Sequence, residues 1–208
     1  VFSLLPAFWP DRAFSEAERT GTQAALNAYL STFPNGIHAT DARQALSAIE
    51  AEEIAAQATA NMNSSVLACD RAAMWGGMVT FDNPSNVEPV SENILKKNLA
   101  EATELCQIAV DAAPTVARSR LLLARTKAIA ENYSSAEALL ASLVDSEYSP
   151  AFAYLGAIYS NKENIKGYDL TVAETWYLKG CERDNGASCS GLAWLYSNNI
   201  SFLKTDAE

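Results

Sequence analysis

Histidine is almost missing from this sequence, with one residue in the whole chain, and methionine (3), proline (7) and glycine (9) are sparse. One His and no CxxC pair leave nothing from which to assemble a zinc site, so no metal and no other cofactor is expected. None of the motifs that announce catalysis is present: no GxSxG, no HExxH, no GxGxxG, and no GxxxxGK followed by Ser or Thr. Basic residues are in deficit, with 15 Lys and Arg against 25 Asp and Glu and a formal charge of -10. A surface of that sign repels phosphate backbones and anionic lipid, so nucleic acid and membrane surfaces are disfavoured as partners. Long apolar runs are lacking too. The longest candidate, Val1 to Trp9, falls short of the roughly 18 residues of a membrane span and is interrupted by Pro6. A start on Val1 reads as a processed or truncated chain, either the remnant of an export signal or anchor or an arbitrary boundary.

What is abundant is alanine and helical periodicity. With 49% hydrophobic residues the chain can fill a continuous core, and the few prolines fall mostly between apolar-periodic segments, so the expected class is all-α. Thr22 is placed to cap a helix from Gln23 to Phe33, and Pro34-Asn35-Gly36 turns the chain. Thr40 or Asp41 is expected to cap a longer helix ending near residues 61–63, with Ser64 or Ser65 opening another short one. From Trp75 to Val90 periodicity vanishes among Gly76-Gly77, Asp82-Asn83-Pro84 and Pro89; such a loop is either a packed cover or a binding element. Helix is expected again from Ser91 to Pro114, then over Val116–Ala130, Ser135–Val144, Pro150–Tyr159, Leu170–Cys181 and Ala187–Tyr196.

The later segments repeat. Ala136-Glu137-Ala138-Leu139-Leu140 maps onto Ala173-Glu174-Thr175-Trp176-Tyr177, and Leu155-Gly156-Ala157-Ile158-Tyr159-Ser160-Asn161 onto Leu192-Ala193-Trp194-Leu195-Tyr196-Ser197-Asn198, a period of about 37 residues. The pattern Leu155-Gly156-x-x-Tyr159, a linker containing Gly167, and Ala173-x-x-Trp176-Tyr177-x-x-Gly180 resembles the Sel-one-like repeat family, relatives of tetratricopeptide repeats, over residues 131–199. The likeness is looser over 98–130, where Ala124 stands in place of a frequent Gly. The region from Cys69 to Ala109 is similar to segments that precede such repeats in bacterial envelope proteins, and the residues around Ala7-Phe8-Trp9 and Phe33-Pro34-Asn35-Gly36 to an accompanying helical module. The resemblance implies antiparallel helical hairpins stacked as a short right-handed α-solenoid, and a non-catalytic adaptor role. Three regions follow: 1–63, an N-terminal helical module; 64–130, a cysteine-linked segment with the long loop and a first hairpin; and 131–208, the repeats.

Four cysteines allow three full pairings. In one unbroken helix Cys181 and Cys189 would lie roughly 12 Å apart, too far to bridge, but Asp184-Asn185-Gly186 supplies a turn that sets them face to face across a hairpin. The spacing is similar to that of the cysteine-rich secreted members of the same family, whose hairpins are clasped by disulfides. Cys69 and Cys106 are then left to pair. Both bridges imply periplasm or the exterior of the cell; the alternative is four reduced core cysteines.

Three functions are compatible with these residues. The first is a scaffold holding another protein, with Trp75, Met78 and Phe81 of the irregular loop as candidate anchors and Glu137, Glu174 and Lys179 as candidate rim residues of a concave face. Trp176, Tyr177, Trp194 and Tyr196 fall at repeat positions that read as core. The second is a structural spacer within a larger protein. The third, an envelope hydrolase, would need His38 as base beside a cysteine, or acid pairs such as Glu52-Glu53 or Glu101 with Glu104, all of which read more simply as solvated helix faces.

Overall fold

The structure is a computed structural model, and it describes residues 8–78, 81–161 and 168–198. The apolar start before Phe8, the linker around Gly167 and the continuation expected from Ile200 lie outside the described residues. Among the described residues there are ten α-helices, one short 3₁₀ turn and no strand. The protein is all-α, and it divides into two compact units, residues 1–61 and 62–208.

The first unit holds α1 (Phe8–Thr20), α2 (Gln23–Thr32) and the first part of α3 (Ala39–Ala73). Gly21 ends α1 at φ +63°, a conformation open to glycine without cost, and donates to the Ala17 carbonyl at 3.0 Å. Thr22 then caps α2 by accepting from the Ala25 N–H at 3.3 Å. Phe14, Ala17, Leu26, Tyr29 and Ala42 form the core of this unit.

Two boundaries differ from expectation. α3 starts at Ala39, directly after His38, rather than beyond Thr40 or Asp41, and it runs without interruption to Ala73 instead of stopping near residues 61–63. The reason is in its composition: no Gly or Pro occurs from Ala39 to Ala73, so Asn63-Ser64-Ser65 lowers propensity without breaking the backbone ladder. Conversely, the helix expected from Ser91 is divided at Asn98 into α4 (Glu92–Lys97) and α5 (Leu99–Ala112).

The second unit continues with α6 (Ala117–Ile129), α7 (Tyr133–Asp145), α8 (Ser149–Ser160), α9 (Leu170–Cys181) and α10 (Gly186–Ser197). Each helix from α5 onward packs on the next, and α10 also reaches α8. Three of the turns share one construction. Glu131, Glu147 and Asp184 take left-handed φ values of 58°, 56° and 57°. The next residue donates back to the helix just ended: Asn132 to Lys127 O at 2.9 Å, Tyr148 to Leu143 O at 2.9 Å, and Asn185 to Gly180 O at 3.1 Å. Asn132 and Asn185 also cap the following helix by accepting from Ser135 and Ser188 N–H. One asparagine thus closes one helix and opens the next.

Candidate functional site

Both cysteine pairs lie at disulfide distance. Cys69 at the end of α3 meets Cys106 of α5 with sulfurs 2.07 Å apart, and Cys181 of α9 meets Cys189 of α10 at 2.05 Å. The first pair is fully buried, the second half-buried.

In the segment between Trp75 and Val90 the described residues hold only the 3₁₀ turn Gly76–Met78, and they are fastened to the rest of the unit. Val90 N–H donates to Met74 O at 2.8 Å, and the Asn83 side chain closes a turn onto the Val87 backbone through two bonds of 2.9 Å. Two arginines of α6, seven residues apart on one helix face, hold it from below. Arg118 Nε donates to Asp70 Oδ1 at 2.9 Å and its Nη1 to Asp82 Oδ1 at 2.8 Å, while Tyr148 Oη donates to Asp82 Oδ2 at 2.5 Å. Arg125 donates to the carbonyls of Ala73 and Met74 at 2.8 Å each and of Val90 at 2.6 Å. Burial pushes the Asp70 carboxyl up despite Arg118 beside it, and Asp82 adds like-charge repulsion. Two carboxylates sharing one guanidinium hold Arg118 above its ordinary range even against burial, and burial together with the bond to Asp82 raises the Tyr148 phenol. Sequence reasoning missed these two arginines. The signal was available: a pair of cations spaced two helical turns apart in a segment otherwise patterned for the core.

The candidate anchors and rim residues separate by burial. Met78 is completely buried and belongs to the core, so it offers no surface to a partner. Its backbone lies in the 3₁₀ turn Gly76–Met78, which directs the thioether inward beside Leu95 and Met74. Glu174 is likewise fully buried, and the Tyr196 phenol hydrogen-bonds to it, so it is not a rim residue. Trp75 is half-buried with its ring edge-on to Tyr154 at 4.9 Å, and Phe81 is exposed beside Tyr148. Half-buried Glu137 accepts from Tyr159 Oη at 2.9 Å; exposed Lys179 lies over the Trp176 ring at 4.7 Å. Trp194 and Tyr196, expected in the core, are 49% and 45% exposed: two residues apart they point to different sides of α10, the last helix among the described residues, and no following helix covers either. Tyr177 does pack, and closely: its ring lies against Gly156 of α8 and Gly191 of α10, where any Cβ would collide with it.

These elements outline one depression. A cleft of about 180 Å³ is walled by Trp75, Arg125, Ala128 and Tyr154. Beside it lies an open groove of about 630 Å³ bounded by Asn93, Tyr177, Gly191 and Trp194. Glu92, Lys96, Ala157 and Asn161 border both. The lining combines aromatic rings with amide and charged groups.

His38 is elsewhere, in the first unit. It stacks on Phe14 at 4.6 Å and bridges Asp11 at 2.8 Å and Asp41 at 3.2 Å, both of which hold its imidazole above the ordinary range. Glu52-Glu53 and Glu101 with Glu104 lie on α3 and α5 with exposed side chains, apart from any described cleft except for Glu53, which borders a shallow one on α3. Among the described residues no group of three or more His, Cys, Asp or Glu side chains could hold a metal ion, and no helix is long and apolar enough to cross a membrane.

Comparison with known proteins returns nothing: no family model, no curated protein and no solved structure matches this chain.

Proposed function

We propose that this chain is a non-catalytic scaffold that binds another protein in the groove between α4, α8 and α10. The observation that carries this reading is the groove itself, continuous over two adjoining depressions, with Trp194 exposed at one end and Trp75 at the other. Aromatic side chains presented in a concave lining are the usual anchors of protein recognition. The pairwise packing of α5 to α10 supports a Sel-one-like, tetratricopeptide-related arrangement in which hairpins stack as a short right-handed α-solenoid. Two disulfide-distance cysteine pairs support residence in the periplasm or outside the cell, since such bridges persist in oxidising compartments. With both pairs closed, a cysteine–histidine hydrolase would have no thiol to use, which favours binding over catalysis.

The test is affinity capture from the native compartment, comparing the wild-type chain with Trp194→Ala. A scaffold retains a stoichiometric partner that the variant loses. Retention of nothing, or equal retention by both chains, overturns the reading.

A further inference from the structure

We infer that the narrow end of the groove takes a carboxylate of the bound polypeptide, with Arg125 at its floor as the receiving cation. The inference rests on the scaffold reading above for the identity of the ligand as polypeptide, but its chemistry comes from Arg125. This side chain is 5% exposed, and it borders the cleft. A buried cation is ordinarily matched by an anion. Here its three hydrogen bonds go to main-chain carbonyls, which supply dipoles but no countercharge. Neither acid bordering the cleft forms an ion pair with it among the described residues: Glu92 is engaged with Lys96 at 2.7 Å and attracts Arg125 too weakly to offset its burial, and Glu131 is exposed. Burial accordingly holds the Arg125 guanidinium below its ordinary range, which an incoming anion would reverse.

Of the five N–H donors of a guanidinium, the three carbonyl bonds leave two. Trp75, Tyr154, Ala128 and Ile158 give the cleft an apolar and aromatic side, while Glu92, Lys96, Glu131 and Asn161 supply charged and amide groups around it. A cleft of about 180 Å³ is below the range of about 300–1,000 Å³ typical of sites for whole small-molecule ligands and suits a single residue of a longer chain. One carboxyl group on a short apolar stem matches that space. The acids at the mouth are solvated and screened at physiological ionic strength, whereas an interaction with the buried guanidinium is not.

The carboxylate has two sources, a chain terminus or an acidic side chain, and the probes separate them. The full chain is titrated with N-acetyl-Ala-Ala as the free acid, with the same dipeptide as its C-terminal amide, and with N-acetyl-Ala-Glu-Ala amide, which carries only a side-chain carboxylate. The indole N–H resonance of Trp75, assigned with Trp75→Phe, is the readout. At least one carboxylate peptide should give a saturable shift and bind about tenfold or more tighter than the neutral amide. Arg125→Gln should remove that preference. Because Arg125 also fastens the loop, Ala157→Phe serves as a second variant: it fills the border of the cleft, leaves the Arg125 bonds in place, and should abolish the shift. No saturable shift from either carboxylate peptide, equal binding of acid and amide, or undiminished binding to Ala157→Phe overturns the inference. A captured protein partner held equally by wild type and Arg125→Gln would sink this inference and leave the scaffold reading standing. Carboxylate binding without any captured partner would do the reverse.

Discussion

Replacing Arg118 by Met is the most informative perturbation of the second unit, because it asks whether the irregular segment is held by charge or merely covers the core. Asp70 is fully buried, and its Oδ2 already lacks a partner, so removing Arg118 leaves an uncompensated carboxylate in an apolar surround. Breaking a buried pair from one side costs about 3–5 kcal/mol. In a domain of this size each kcal/mol lowers the melting midpoint by about 2–4 °C, so the expected drop is roughly 6–20 °C. Asp70→Asn should cost about 2 kcal/mol, since Arg118 keeps its bond to Asp82 at 2.8 Å. Asp82→Asn should cost about 1 kcal/mol, because that side chain is 26% exposed and water replaces part of what is lost. Replacing both members of the buried pair, as Asp70→Leu with Arg118→Met, should recover part of the single-variant loss, with a coupling of about 1–3 kcal/mol. The assay is urea unfolding followed by tryptophan fluorescence in a Trp9→Phe background, so that Trp75, Trp176 and Trp194 report the second unit without the first. If Arg118→Met costs less than about 1 kcal/mol, or no more than Asp82→Asn, the segment is not fixed through α6 and the reasoning fails.

The other predictions concern the sulfur bridges, the glycines and the histidine. Under a mild dithiol reductant the half-buried Cys181–Cys189 pair should open first, and the buried Cys69–Cys106 pair only on unfolding; alkylation and peptide mapping read the order, and simultaneous opening would contradict it. Removing the two bridges should cost about 2.6 and 3.9 kcal/mol respectively, from loop-closure entropy over about 9 and 38 residues. Gly191→Ala should destabilise despite a helix-propensity gain of about 1 kcal/mol, because its methyl meets the Tyr177 ring at an overpacking cost of about 1–3 kcal/mol. In a Tyr177→Leu background the sign should reverse, and thermal melts decide it. His38 is raised by its bonds to Asp11 and then Asp41, so its contribution to stability is complete below about pH 6.5 and disappears as pH climbs through the higher folded value. An NMR titration midpoint above 6.5 that falls in Asp11→Asn confirms the sign; a midpoint at or below 6.5 refutes it.

Helix identity was legible because it is a local property. Thr22, Pro34-Asn35-Gly36, Ser91, Pro114 and Pro150 act on their own neighbours, and α2, α6, α8, α9 and α10 begin and end within a residue or two of where those signals place them. The face-to-face placement of Cys181 and Cys189 followed the same way, from a turn forced between two short helices. The boundary differences lie where local signals are weak: Asn63-Ser64-Ser65 lowers helix propensity without a Gly or Pro to end α3, and Asn98 divides α4 from α5 with no breaker residue to announce it. The burial of Met78 and Glu174 and the exposure of Trp194 and Tyr196 could not be read from residue type, since a side chain is core or surface only once its neighbours are placed. The two α6 arginines show the division most plainly. Their spacing is written in the chain, but Asp70, Asp82, Tyr148 and three backbone carbonyls come to them from distant positions, and only the closed tertiary structure assembles those acceptors around a buried charge. What the amino-acid order determined alone was which segments coil and where they turn. Tertiary packing decided which charges lost their water and which distant acceptors came to meet them.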